Sequence, residues 1–305
     1  MAIKRYEVVL FPDRASKATF LRVQTQALRG ELASSYLFLT VVELVEFLCV
    51  SISNDCSHEL FKKQILDEKS GGFRTHKGLI FTNLLLTDEI NRAAPKVQGA
   101  LLEAMQERKV TLGNETFTLP TPFLVIATQN PIEQSGTFEL PEAQLDRFML
   151  CHRLVYPTTG EEEEILRRNL NLGIQKVGSG AVARTEFDLV SQDAVGTEAD
   201  LVAAMEATHA IHVSEVFLKH VVDIVERTRH HPDLELGGSP RAGIALLKCS
   251  RARALLHGRD YVVPEDLFAL AEDTVLHRIR LTYEALAEGR SATSVLQGIL
   301  EQSVS

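Results

Sequence analysis

Apolar and polar positions change rhythm most sharply at Leu84-Leu85-Leu86-Thr87-Asp88-Glu89, where an apolar run of strand length ends in two carboxylates. The pattern predicts a buried strand over 83–87 with its acids emerging at the carboxyl end. Pro95 follows, and its missing N–H suits a first helical turn. Behind it Val97, Ala100, Leu101, Ala104, Met105 and Arg108 recur at helical spacing. Residues 109–112 and 115–119 alternate on either side of Gly113-Asn114, which predicts a β-hairpin. Residues 123–128 read as a second buried strand, ending in the polar pair Gln129-Asn130.

The flanks are read the same way. Val8-Val9-Leu10-Phe11 has the composition of a strand, and 19–28 that of a helix. Lys69-Ser70-Gly71-Gly72-Phe73 carries the turn residues of a hairpin or loop. Thr158-Thr159-Gly160 breaks the chain, and the acidic run Glu161 to Glu164 opens a helix, where carboxylates meet the positive end of the dipole. Residues 173–180 and the polar tract after them read as a linker. Beyond Asp200 the chain is helical in pattern. Ser214 caps a helix with the stripe Val216, Phe217, Val221, Ile224 and Val225. Ser239-Pro240 starts another with Ile244, Leu247 and Leu255 inward, and Pro264-Glu265-Asp266-Leu267 starts a third.

Strand, helix, hairpin, strand and then helices describe an α/β domain followed by an all-α one. A chain of 305 residues holds one large or two ordinary domains. The boundaries expected are an atypical first part over 1–72, the core over 73–157, a connecting helix and linker over 158–199, and a helical domain over 200–305.

Charge removes some classes of function. A formal net charge of -9 argues against broad binding to nucleic acid or anionic membranes. Cys49, Cys56, Cys151 and Cys249 are scattered without a CxxC pair, so they read as reduced thiols of a cytoplasmic protein. The histidines show no metal spacing, and His230-His231 reads as a solvated helix end. Residues 32–52 are apolar and long enough to span a bilayer, but Glu43 and Glu46 lie near the middle. Acids there are costly, about 2.5–3.5 kcal/mol for Asp, so the segment reads as buried protein and no membrane span is expected. No signal-peptide core follows the first five residues.

Four chemical landmarks fall in order: Asp88-Glu89, Asn130, Arg147 and Arg241. The first acid can hold Mg²⁺ beside a nucleotide, and the second can orient or deprotonate a water. A neutral amide such as Asn130 can position that water. Guanidinium groups such as Arg147 and Arg241 can neutralise charge on transferring oxygens. Singly, Asn130 before Pro131 is a turn residue, and Arg147 after Asp146 is a solvated ion pair worth little.

The order closely resembles the MoxR family of AAA+ ATPases. The strings that carry it are Ile80-Phe81-Thr82-Asn83-Leu84-Leu85-Leu86 with its acids, Gln98-Gly99-Ala100-Leu101-Leu102-Glu103-Ala104-Met105, Ile126-Ala127-Thr128-Gln129-Asn130-Pro131-Ile132-Glu133-Gln134 and Arg229-His230-His231-Pro232-Asp233. The tail from His277 to Ala285 adds to them, so the resemblance runs from about Gly71 to about Gln302. It implies a P-loop-NTPase-like core with a parallel sheet and a helical lid. It also implies Walker B acids at Asp88 (the Mg²⁺ residue) and Glu89, sensor 1 at Asn130, an arginine finger at Arg147, sensor 2 at Arg241 and a pre-sensor hairpin at Gly113-Asn114. ATP and Mg²⁺ as cofactors, a hexameric ring, chaperone-like remodelling and a partner with a von Willebrand factor A domain are implied with it. A magnesium-chelatase-like or helicase-like motor shares this logic; the net acidity and the Arg229–Asp233 string favour MoxR.

The chain departs from that pattern at the phosphate loop. It contains no G-x-x-x-x-G-K-[ST], whose glycines let backbone N–H groups close on phosphates. The nearest equivalent is Phe11-Pro12-Asp13-Arg14-Ala15-Ser16-Lys17-Ala18-Thr19, which keeps Lys17 and Thr19 as nucleotide-binding candidates and places Asp13 with the wrong sign. Two functions follow: an ATPase with a weakened loop, or a pseudo-ATPase that donates Arg147 to an intact neighbour.

Overall fold

The computed structural model describes residues 7–11, 48–51, 60–67, 72–112, 115–129, 136–177, 180–183 and 197–303. The first strands are β1 (Glu7–Phe11), β2 (Leu48–Ser51), the hairpin of β3 (Lys62–Asp67) with β4 (Gly72–Lys77), and β5 (Leu84–Asp88). A 3-10 turn at Ile90–Arg92 leads into α1 (Pro95–Glu107), the hairpin of β6 (Lys109–Leu112) with β7 (Glu115–Thr118), and β8 (Leu124–Gln129). The short helix α2 (Glu142–Leu145) and strand β9 (Leu150–Arg153) complete this part.

Five strands form one sheet in the order β2-β5-β8-β1-β9. β5 runs parallel to both neighbours, with Ser51 opposite Asp88 on one side and Thr87 opposite Ala127 on the other. Leu84, Leu85, Val125, Ile126 and Ala127 are buried, which is why these strands read as unbroken apolar runs. Leu101, Leu102, Ala104 and Met105 of α1 pack into the same core with Phe148. Each of the Leu, Met and Phe side chains contributes roughly 1.5–3 kcal/mol of burial. The α1 face differs from its reading in that Gln98 and Leu102 are also buried, Val97 and Ala100 are only half-buried, and Arg108 lies just past the helix end.

The parallel sheet holds for β2, β5 and β8, and β1 is the exception. It lies between β8 and β9 and is antiparallel to both, with Glu7 opposite Gln129 and Phe11 opposite Val125. β1 therefore finishes at the opposite end of the strands from Asp88. A four-residue apolar run carries no direction in its pattern, so this reversal could not be read from it.

Past the sheet, α3 (Thr159–Asn171) begins where the acidic run predicted. Thr158 Oγ1 accepts the Glu161 N–H at 3.4 Å, and the Glu161 carboxylate accepts the Thr158 N–H at 2.7 Å, a reciprocal cap. The Thr158 N–H and, at 2.8 Å, the Thr158 hydroxyl both donate to the Glu161 carboxylate and hold it below its ordinary range. The stretch expected to be a linker contains a third hairpin, β10 (Ile174–Val177) against β11 (Gly180–Ala183). Its glycines made it read as unstructured.

The remaining helices are α4 (Glu198–Ala210), α5 (Glu215–His230), α6 (Pro240–Leu256), α7 (Pro264–Val275), α8 (Tyr283–Ala287) and α9 (Ala292–Ser303). β12 (Leu234–Leu236) pairs with β13 (Arg280–Leu281), which follows a 3-10 turn at Leu276–Arg278. Ser214 caps α5 by accepting the Phe217 N–H, and Ser239 caps α6 by accepting the Arg241 N–H, both at 3.1 Å. Phe217, Val221, Ile224 and Val225 are buried as predicted, but Val216 faces solvent. In α6 Ile244 is exposed and Leu246 takes the inward place. Among the described residues no helix is long and apolar enough to cross a membrane.

Candidate functional site

The carboxyl ends of β5 and β8 meet at one hydroxyl. Thr128 Oγ1 donates to Asp88 Oδ1 at 2.5 Å and accepts the Glu89 N–H at 2.9 Å. One side chain thus fixes the rotamer of the first acid and the backbone of the second. Glu89 needs that support, since its φ of 51° and ψ of 52° are left-handed, a region costly for a residue with a β-carbon. The turn sends the Glu89 side chain to Arg92, whose Nε lies 2.7 Å from Glu89 Oε2. Below the acids, Thr87 is buried and donates to the Ile126 carbonyl at 3.2 Å.

Gln98 holds the loop after the acids. Its Nε2 donates to the carbonyls of Ile90 at 3.1 Å and Phe138 at 3.0 Å, and the Phe138 N–H donates to the Asn91 carbonyl at 2.6 Å. The 3-10 turn is thereby stitched to the segment that leads into α2. A buried amide with both protons placed is a positioning group, and its partners, 8 and 40 residues away, left no local signal in the sequence.

Asp146, next to Arg147 in the chain, organises a second cluster that includes Arg241. Arg147 does not pair with Asp146. Its guanidinium donates to Gln106 Oε1 of α1 at 2.6 Å, and its Nε is buried without a partner among the described residues. Asp146 instead accepts Ser239 Oγ at 2.7 Å, Arg241 at 3.2 Å and Arg278 Nε at 3.1 Å. The solvated pair expected at Asp146-Arg147 is therefore a contact between core and lid. Arg278 is almost wholly buried, and burial pulls its guanidinium below its ordinary value while Asp146 opposes the shift. Further bonds cross the same boundary: His277 Nε2 lies 3.1 Å from the Phe148 carbonyl, His152 Nδ1 lies 3.1 Å from Asp273 Oδ2, and Arg280 pairs with Glu142.

Asp88 and Glu89 thus share one strand end, while Arg241 binds Asp146 and Arg147, the next residue, turns to Gln106. Asn130, Lys17 and Thr19 lie outside the described residues. The Asp88 carboxylate and the Thr128 hydroxyl at the β5 end suit a hard cation and its bound oxygens, while the Glu89 carboxylate is turned to Arg92. No group of three or more His, Cys, Asp and Glu gathers among the described residues. A metal at Asp88 would therefore take most of its ligands from a nucleotide and from water, as Mg²⁺ does. Thr128 was legible only as part of a strand end, and Asp146 only as the neighbour of an arginine.

The chain is similar to known proteins over both its parts. Residues 41–150 match the model of the ATPase family associated with various cellular activities, and residues 226–299 match the model of the AAA lid domain. The chain is 40% identical over 236 residues to the uncharacterized protein YeaC of Bacillus subtilis, covering 77% of this chain and 69% of that protein. It is 40% identical over 238 residues to Chaperone MoxR1 of Mycobacterium tuberculosis, covering 75% of this chain and 59% of that one. The crystal structure of a putative ATPase from Cytophaga hutchinsonii superposes with a TM-score of 0.73 at 34% identity, over 89% of this chain and 82% of that chain.

Proposed function

Since the chain belongs to the MoxR family of AAA+ ATPases, we propose that it binds ATP with Mg²⁺ at the β5–β8 strand ends and couples hydrolysis to chaperone-like remodelling of a partner protein. The observation that carries this reading is the acidic pair at the end of β5, braced by Thr128. Ligands of open α/β sheets sit at such ends.

In this reading Asp88 is the Walker B metal residue, kept in one rotamer by Thr128. Glu89 orients and deprotonates the attacking water, and must leave Arg92 to do so. Asn130 acts as sensor 1 beside it. Bound nucleotide supplies the transferable phosphoryl group, and its metal neutralises the oxygens. Arg147 is the finger that reaches a neighbour's nucleotide in a hexameric ring, and Arg241 is sensor 2. A cytoplasmic ring with a von Willebrand factor A domain partner completes the proposal.

A second reading is favoured by a specific observation. The sequence lacks a glycine-rich phosphate loop, and β1, the strand before Lys17 and Thr19, finishes at the opposite end of the strands from Asp88. A subunit of this kind would serve as a pseudo-ATPase that lends Arg147 to an intact neighbour. Titrating a fluorescent ATP analogue against the full chain and Asp88→Asn separates the two. Saturable, Mg²⁺-dependent binding lost in Asp88→Asn supports the ATPase reading; no saturable binding by the native chain sinks it. Lys17→Ala then assigns the phosphate lysine, since an unchanged Kd retires Lys17 and, with it, Thr19. Stimulation of an intact-loop relative's turnover by the native chain, but not by Arg147→Ala, supports finger donation.

A further inference from the structure

We propose that Asp146 is a positioning residue: it ties the placement of Arg147 to that of the lid, and it holds Arg241 in reserve until a phosphate competes for it. The second part depends on Arg147 and Arg241 acting as described above.

Asp146 immediately precedes Arg147, and its carboxylate accepts one hydroxyl and two guanidinium groups, all from the lid. Arg278 binds the backbone as well, donating to the carbonyls of Asp146 at 3.2 Å and Phe148 at 2.5 Å. The residues on both sides of Arg147 are thus pinned by one lid side chain. Met149 is reached by the same guanidinium at 3.4 Å. Beyond the pin, Arg147 is directed by Gln106 of the core. The finger therefore hangs between lid and core, and displacing the lid shifts its backbone.

The two lid arginines differ in freedom. The side chain of Arg278 is 2% exposed and cannot leave, whereas that of Arg241 is 52% exposed. Its bond to Asp146 is the longest of the three and is charge-assisted on both sides. A phosphate oxygen offers such a guanidinium an equivalent partner with more negative charge behind it. When Arg241 exchanges partners, Asp146 keeps Ser239 and Arg278, so the lid contact is loosened and not broken. One carboxylate then reports the state of one arginine to the backbone of the other.

Hydrogen exchange on the full chain tests the coupling. Asp146→Asn keeps the side-chain shape and removes the charge; amide exchange is expected to rise several-fold over both 146–149 and 239–243. Ser239→Ala removes a single donor and gives a milder rise in the same two stretches, which decides the matter if Asp146→Asn folds poorly. A change confined to one stretch, or to neither, overturns the coupling. The reserve role has its own readout in titration with the fluorescent ATP analogue. Asp146→Asn is expected to bind several-fold more tightly than the native chain, and Asp146→Asn/Arg241→Ala to lose that gain. Equal affinity of the native chain and Asp146→Asn overturns the reserve role. Failure of every variant to bind the analogue removes the nucleotide reading and the reserve role together, and leaves the exchange result to decide the coupling alone.

Discussion

Thr128 donates to Asp88 across the β5–β8 ladder at 2.5 Å while the same oxygen accepts the N–H of Glu89. The catalytic candidates are therefore braced by a neighbouring strand and not by their own loop. Thr128→Val preserves side-chain volume but strips both bonds, leaving the half-buried Glu89 N–H and a carboxylate oxygen without that partner. A loss of about 1–3 kcal/mol is expected in urea unfolding, together with weaker Mg²⁺-dependent binding of the ATP analogue. A variant as stable as the native chain would mean that water replaces the hydroxyl at no cost.

Glu89 separates stability from function. Its pair with Arg92 is partly exposed, so Glu89→Gln should change stability by no more than about 1 kcal/mol. Hydrolysis is expected to stop while the Kd for the analogue is retained. Glu89→Gly should relieve the left-handed backbone and raise stability by about 1 kcal/mol, again with no turnover. Loss of binding in Glu89→Gln would show instead that the carboxylate shapes the site.

Local signals made much of this legible. The apolar run at 84–86, Pro95 at the start of α1, the hairpin around 113–114 and the caps Ser214 and Ser239 each act within a few residues, and each element forms where its signal lies. What stayed hidden depends on distant partners. Gln98 meets Phe138, and Asp146 meets lid residues 93 to 132 positions away, with no trace in the periodicity of either segment. Val216 and Ile244 were assigned inward because a helical stripe leaves its boundary residues ambiguous by one position. The direction of β1 was not legible either, because strand direction is set by the connection and not by the strand.

Gly237 fixes the entry to α6. A β-carbon there would sit 2.6 Å from the Arg229 α-carbon and 2.7 Å from its nitrogen, too close for any rotamer to avoid. The next residue, Gly238, donates to Thr228 Oγ1 at 2.9 Å and accepts from Arg229 Nε at 2.8 Å. Gly237→Ala must push the turn away from α5 and carry Ser239 and Arg241 with it. An overpacking loss of about 1–3 kcal/mol is expected, with faster hydrogen exchange at the start of α6. Native-like exchange there would mean that α5 gives way instead.

The lid boundary holds two histidines of opposite pH dependence. His277 is deeply buried, and burial, reinforced by Arg278, pushes its pKa down to about 3 from an ordinary value of 6.5. Its Nε2 faces the Phe148 carbonyl and so carries the proton of a neutral ring. A folded pKa below the unfolded one means that stability is full above about 6.5 and falls as pH drops toward 3, by up to about 1.4 kcal/mol per pH unit. His152 has the reverse sign. Its hydrogen bond to Asp273 raises its pKa, so its contribution is full below 6.5 and is lost as pH rises through the raised value. His277→Gln keeps a donor for Phe148 and cannot titrate, so its unfolding free energy should be flatter on the acid side. Asp273→Asn should erase the alkaline loss and leave the acid one. Urea unfolding of the three proteins at several pH values from about 5 to 8 measures both limbs. An acid limb that persists unchanged in His277→Gln would assign it to the carboxylates instead.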